Sequence, residues 1–477
     1  MMLILFNISM SNSSSYSTYQ SVFSWRYGSD EMRYVFSEEN RYLIWRKIWV
    51  AMATVQSQVD LVSSMELADL KKHEKKIDID RAREIEKETR HDVVAAIREY
   101  AEKAKVGGGK IHLGATSMDV VDNADTLKMK QALELVESRL VEMIGVMSDL
   151  VERYADVVTM GYTHLQSAEP TTVGYRLAFY LQDLSKDVDL MRYVYTQLKS
   201  KGFKGAVGTA ASYQALLQDT AMNVAEFERE VLELLNLEAD VVATQVNTRK
   251  TDYLVMTVLA SISSSLHKFA ADVRILQSAN FSEWSEPFAK GQVGSSAMPF
   301  KKNPIKSENI CSLARYVATL PMVVLDNASH SYLERTLDDS ANRRAVIPDG
   351  FLAVDQMLLT ALSVAKGLVV FDGGVKRNVD KFAPFAASER ILMECVKQGA
   401  NRQKMHEKLR EIALEAWDGV MKGGANKMEE MLVKDPEIGS YLSGREIHAY
   451  MDVSHHVGDC AQRAREMVAV VRKQIGS

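Results

Sequence analysis

Residues 254–276 read Leu-Val-Met-Thr-Val-Leu-Ala-Ser-Ile-Ser-Ser-Ser-Leu-His-Lys-Phe-Ala-Ala-Asp-Val-Arg-Ile-Leu. Leu254, Val258, Ile262, Leu266, Phe269, Val273 and Leu276 recur at steps of four and three, so they line one face of a helix more than about five turns long. Leu177, Leu181, Leu184, Val188 and Met191 repeat the same spacing. Of the eight prolines, none falls between 171 and 286, which leaves long helices unbroken there. Stripes of this length predict an all-α fold in which long helices pack side by side. They read as intramolecular core and as oligomer seam, because the 254–276 stripe is too long for a small monomer to cover.

Outward from this centre, residues 38–105 alternate apolar and charged groups at helical spacing, with Trp45, Trp49, Met52 and Val59 on the apolar side. The charged run from Lys71 to Arg90 reads as a solvated helical face. Gly107-Gly108-Gly109 closes the region, and Thr116 or Ser117 can cap a helix beginning near Met118. Past residue 370, Gly373-Gly374 breaks the pattern and shorter segments follow, bounded by Pro384, Gly399, Gly423-Gly424 and Pro436. The predicted organisation is a disordered tail over 1–24, an N-terminal helical domain over 25–117, a central bundle over 118–370 and a helical C-terminal domain over 371–477. No internal repeat and no sustained period-two alternation occurs.

The chain has 477 residues, with 58 Lys and Arg against 63 Asp and Glu, a net charge of −5. That balance argues against bulk nucleic-acid binding, so any anionic ligand must be met by locally gathered cations. Three cysteines, Cys311, Cys395 and Cys460, are far apart and form neither a disulfide framework nor a zinc spacing, which fits a reducing, cytoplasmic setting. The apolar run Met1–Phe6 is too short to span a bilayer and lacks the charged start of a signal peptide. No membrane association is expected.

Chemistry concentrates in residues 291–308, Gly-Gln-Val-Gly-Ser-Ser-Ala-Met-Pro-Phe-Lys-Lys-Asn-Pro-Ile-Lys-Ser-Glu. Gly291 and Gly294 let the backbone bend, Ser295 and Ser296 add hydroxyls, and Lys301 and Lys302 add cations. Asn303 reads as an N-cap and Pro304 as the first residue of a helix whose free N–H groups favour an anion. With few large apolar anchors, 284–300 reads as a lid. The stretch is not a phosphate-binding Walker loop. On composition alone it would be a surface Ser/Gly loop with two solvated lysines.

Four shorter motifs accompany the loop, each with a plainer alternative. Arg90-His91-Asp92 sets a cation, an imidazole and a carboxylate in a row, or is part of a charged surface helix. Thr116-Ser117 is at least a cap. Thr163-His164, followed by Glu169-Pro170, puts a histidine just before a long helix. Arg335 to Arg344 clusters three arginines around Ser340, which suits phosphate and equally suits surface ion pairs.

The pattern Gly294-Ser295-Ser296-x-Met298-Pro299-x-Lys301-x-Asn303 resembles the signature loop of the fumarase/aspartase superfamily. With Arg26-Tyr27, Arg90-His91-Asp92, Thr116-Ser117, Thr163-His164, Gln245 and Arg335–Arg344, the chain resembles the adenylosuccinate lyase family, most closely its animal-type branch. It departs at Asn309, where vertebrate members carry arginine.

The resemblance implies a long-helix bundle and a homotetramer whose sites are each shared between subunits. The implied reaction is β-elimination of fumarate from a succinylated nucleotide, with no metal or redox cofactor. By resemblance His164 is the general acid, oriented by Glu308, and Ser295 the base. His91 is the rival for that role, since an imidazole titrates near neutrality. Lys301 and Asn303 would stabilise the carbanion, with Ser296 beside them. Arg26, Tyr27, Arg335, Ser340 and Arg344 would meet phosphate and ribose. Thr116, Ser117 and Gln245 would meet the succinyl and base portions, and Arg90, His91 and Asp92 would also contact substrate. Sister lyases share the loop, and a structural protein on the same bundle is the remaining alternative.

Overall fold

The structure, a computed structural model, describes residues 18–476. Most of the expected tail, 1–17, therefore lies outside the described residues. The end of that range is not tail, because Val22–Ser24 form a 3-10 turn that buries Phe23.

The described chain is helical, with two short antiparallel strand pairs. The long helices Ser117–Arg153, Val173–Gln197, Lys250–Gln277 and Ser340–Lys366 enclose the main core, with Ile305–Val317 packed against them. Both predicted stripes face inward, and Leu177, Leu181, Ile262, Leu266 and Val273 are fully or almost fully buried. Each such side chain contributes about 1.5–3 kcal/mol by leaving water. Only Leu254, at the end of its stripe, stays partly exposed. The helices starting at Lys250 and Ser340 are apolar enough in composition to pass for membrane spans, yet half or more of each apolar window is buried in the bundle.

The cores cross the boundaries read from sequence. Trp45, Trp49, Tyr100 and Val120 pack with Phe203, Tyr213, Phe227 and Leu235, so the middle of the chain completes the N-terminal core. The last helix, Cys460–Ile475, buries Ala464, Val468 and Val471 in the bundle rather than in the C-terminal core of Ile391, Leu409, Leu432 and Ile447.

Local chemistry sets the helix ends. The Thr116 N–H donates to Asp119 Oδ2 at 3.0 Å and opens Ser117–Arg153, one residue before the expected start. Tyr175 N–H donates to Thr172 Oγ1 at 3.1 Å and opens Val173–Gln197.

Two expectations fail. Gly373-Gly374 and Pro384 do not bound segments, because the helix Asp372–Lys397 runs through all three. Glycine costs little in a first turn, where N–H groups are unpaired anyway. Pro384 removes one backbone hydrogen bond, and burial of Ala383, Ala386, Ala387 and Ile391 around it offsets that.

The other failure is a hairpin, Val158–Thr163 paired with Gln166–Thr172, where no strand was expected. His164 and Leu165 form its two-residue turn with φ of 54° and 59°. Positive φ at both central positions is the geometry that normally selects Asn-Gly, which is why His-Leu gives no turn signal.

Gly374 lies so close to Ser282 O that a Cβ would overlap it, whereas a Cβ on Gly373 meets nothing within 4 Å. Gly374→Ala is expected to destabilise by about 1–3 kcal/mol through overpacking. Gly373→Ala should be near neutral, and denaturant unfolding of the pair checks the contrast.

Candidate active site

Arg90, His91, Asp92, Thr116, Ser117, Gln245, Arg335, Ser340 and Arg344 line one cavity of about 710 Å³. It lies where the helices Asp92–Lys103, Ser117–Arg153 and Ser340–Lys366 begin, so three N-termini converge on it. His91 caps the first of these, its Nδ1 accepting the Val94 N–H at 3.5 Å. That leaves Nε2 free to meet Ser117 Oγ at 3.4 Å, and the ring stays half-exposed toward the cavity. Arg344 reaches across to Asp92 at 3.1 Å. Gln245 is held beside Arg335 because its N–H donates to Glu334 O at 3.2 Å.

Along and beneath the cavity wall the charges are paired, and Asp122, Arg249, Asp252, Asp339 and Arg343 are buried. Arg335 donates to Asp339 Oδ1 at 2.9 Å, and Asp339 Oδ2 accepts from Arg249 Nε at 2.6 Å. Arg249 Nη1 also contacts both oxygens of Asp122, at 3.0 and 3.1 Å. Arg343 joins Asp252 at 2.7 Å and Asp125 at 3.1 Å, so one of the three clustered arginines meets the cavity with its charge already paired. Burial pushes the Asp125 carboxyl upward, but Lys128 and Arg343 outweigh it and hold it well below the usual carboxylate range.

Sequence reasoning missed several cavity residues, among them Arg41, Trp45, Glu86 and Lys128. Lys128 carried a usable signal. Ser117, Val121, Asp125 and Lys128 step by four, four and three, which puts them on one helical face.

The remaining predicted residues do not line this cavity. Arg26 is exposed, 5.6 Å from the Trp25 ring and 5.9 Å from the Tyr27 ring. Tyr27 packs toward Phe23, ring centroids 6.1 Å apart. His164 sits exposed at the hairpin turn, not just before a helix, since Val173 begins the helix after the second strand. Glu308, exposed on the helix Ile305–Val317, makes no hydrogen bond or ion pair with His164 among the described residues.

The 291–308 stretch folds back on itself. Ser295 Oγ accepts the N–H groups of Ala297 at 3.3 Å and Met298 at 3.1 Å. Asn303 does not cap the helix. Its side-chain amide donates to Gly294 O at 2.8 Å, and Pro304 takes the cap position before Ile305. Nor is the helix N-terminus open to an anion. The buried Glu286 carboxylate already accepts Lys306 N–H at 3.0 Å, Ser307 N–H at 2.9 Å and Ser307 Oγ at 2.8 Å. Lys301 is exposed with no ion-pair partner among the described residues. The mobile-looking composition of 284–300 also misleads at its start, because Trp284, Ser285 and Glu286 are buried and exposure begins beyond Phe288.

Just before Thr116, His112 accepts the Trp49 indole N–H on Nδ1 at 3.0 Å, with φ of 67°. Burial pushes its pKa down to about 4 from an ordinary 6.5. The unfolded chain therefore binds the extra proton first, and this contribution to stability is present above pH 6.5 and lost as pH falls toward 4. Asp187, pushed up by burial to about 6, acts with the opposite sign over part of that window. The difference between parent and His112→Gln isolates the histidine. Denaturant unfolding from pH 7.5 to 4.5 should show a shallower acid loss in the variant.

A family model described as "Lyase" matches residues 26–318, and one described as "Adenylosuccinate lyase C-terminus" matches residues 384–467. Among curated relatives, adenylosuccinate lyase of Schizosaccharomyces pombe is 37% identical over 95% of this chain and 94% of its own length. That of Schistosoma mansoni is 36% identical over 87% of this chain and 88% of its own length. A solved structure of 3-carboxy-cis,cis-muconate lactonizing enzyme from Pseudomonas putida superposes with a TM-score of 0.84. At 22% identity, covering 96% of this chain and 99% of that one, it speaks for the fold alone.

Proposed function

The chain belongs to the adenylosuccinate lyase family, and from that membership we infer that it is a carbon–nitrogen lyase. It releases fumarate from adenylosuccinate, leaving AMP, and from the succinylated aminoimidazole carboxamide ribotide of purine biosynthesis. The observation that carries this is the cavity: family-motif residues from four separated stretches meet in it, Arg90, Arg335 and Arg344 among them.

In the reaction a base removes the proton on the carbon next to a succinyl carboxylate. The electron pair left there becomes the fumarate double bond as the C–N bond breaks, and the departing nitrogen takes a proton from an acid. Ser295 as the base is supported by its two backbone N–H donors, which would stabilise the alkoxide form that accepts the substrate proton. His91 is the competing base. Lys301, exposed and uncommitted, would meet the carboxylate into which the carbanion delocalises.

A homotetramer with shared sites is part of this proposal. It is supported by the placement of His164, Ser295 and Glu308 away from the cavity, and by exposed apolar side chains such as Met322 and Val470. Under this reading Glu308 orients His164 across a subunit interface. Three free, separately buried cysteines accord with a cytoplasmic setting.

Fumarate release from adenylosuccinate by the purified protein is the direct test, and a substrate panel separates sister lyases. Ser295→Ala is expected to lose on the order of 10²–10⁴-fold in turnover. Near-normal Ser295→Ala with a collapsed His91→Ala would assign the base to His91. Mixing inactive His164→Ala with inactive Ser295→Ala protein should restore part of the activity, and no recovery after verified subunit exchange would place both residues in one chain's site. Amide exchange over 289–300 should slow when AMP and fumarate bind, while the Lys250–Gln277 helix stays protected throughout.

A further inference from the structure

The hairpin that carries His164 is short, lies at the surface and turns through two non-glycine residues of positive φ. Such backbone costs on the order of 1–3 kcal/mol per residue and persists only where surrounding contacts over-determine it. The contacts here converge on one side chain. Glu283 is fully buried, and its carboxylate accepts from Tyr162 Oη at 2.7 Å, Asn378 Nδ2 at 2.8 Å, Thr159 Oγ1 at 3.2 Å and Arg176 Nη1 at 3.4 Å.

Thr159 and Tyr162 belong to the first strand of the hairpin, Arg176 to the helix that follows it, and Asn378 to the Asp372–Lys397 helix. Arg176 also donates to Met160 O at 2.6 Å, across the bulge between Met160 and Tyr162. The backbone of Glu283 is itself fixed, its N–H donating to Leu276 O at 2.9 Å and its carbonyl accepting from Phe371 N–H at 2.8 Å.

We propose that Glu283 is a positioning residue, whose buried carboxylate sets the direction in which the hairpin presents His164. This rests on the reading of His164 as the general acid. A buried carboxylate is a poor device for stability, since apolar replacements of equal volume are often neutral or better. What it supplies is a fixed meeting point for donors from three elements, and with it a single orientation of the strand. Glu283 touches none of the reacting groups and does not line the nucleotide cavity. Its loss should therefore act on the chemical step and leave nucleotide affinity alone.

The test is Glu283→Gln in the full chain, assayed with adenylosuccinate. The amide keeps the volume but turns one oxygen into an NH₂ group, set either against Tyr162 and Asn378 or against Thr159 and Arg176. The expected result is a kcat lower by roughly ten- to hundred-fold, with KM within about two-fold and faster amide exchange over 158–172. A kcat within two-fold of the parent, or a rise in KM matching the loss of kcat, would overturn the proposal. Should Glu283→Gln fail to fold, Tyr162→Phe removes the shortest of the four bonds and leaves the carboxylate paired. A several-fold fall in kcat at constant KM then supports positioning, and unchanged kcat overturns it. Absence of fumarate release from the unaltered protein would overturn the enzymatic reading and this one with it, whereas an active parent with an equally active Glu283→Gln overturns only this one.

Discussion

Asp122 accepts both contacts of Arg249 Nη1, and through Arg249, Asp339 and Arg335 that ion pair connects the starts of three long helices. Removing one member would leave an uncompensated charge in a sealed place, at about 3–5 kcal/mol. Four carboxylates, Asp122, Asp125, Asp252 and Asp339, face four cations, Lys128, Arg249, Arg335 and Arg343. The charge of Arg335 is thus balanced before any ligand arrives. Attraction for an incoming anion must come from cations nearer water, above all Arg344, whose ion-pair partner among the described residues is Asp92 at the rim. The buried set fixes direction and the exposed set supplies field.

The bundle was legible because it depends on repetition. Seven apolar side chains at helical steps leave little choice of periodicity, and they are the residues that fill the core. The cavity was legible for a different reason, since Arg90-His91-Asp92, Thr116-Ser117 and Arg335–Arg344 are short runs of polar and charged side chains, and each sits at a helix start. What escaped depends on partners distant along the chain. Nothing near Pro304 announces that Glu286 occupies the helix N-terminus ahead of any ligand. Nothing near Thr163 announces a hairpin, because the turn contradicts local preference and is upheld by Glu283, more than a hundred positions away in sequence. Completion of the N-terminal core by Phe203 to Leu235 is of the same kind.

Three structural devices therefore divide the labour. The cavity gathers cations and helix N-termini, the hairpin presents an imidazole, and the 291–303 loop presents a hydroxyl already braced by two amides. They are mounted on different parts of the bundle, and only the bundle is common to them. The same framework superposes on a lactonizing enzyme at 22% identity. A framework of this kind can carry different chemistries, because function resides in the groups mounted on it rather than in the framework.

The His164–Leu165 turn has an evolutionary corollary. Its backbone would be relaxed by asparagine followed by glycine, and the general-acid role proposed for His164 is what would oppose that exchange. In a lineage that kept this bundle for bulk and abandoned turnover, selection would cease to hold the histidine there, while selection for solubility and folding would continue. Drift at these two positions toward Asn-Gly, with the buried stripes unchanged, would mark a descendant that has become a pseudoenzyme.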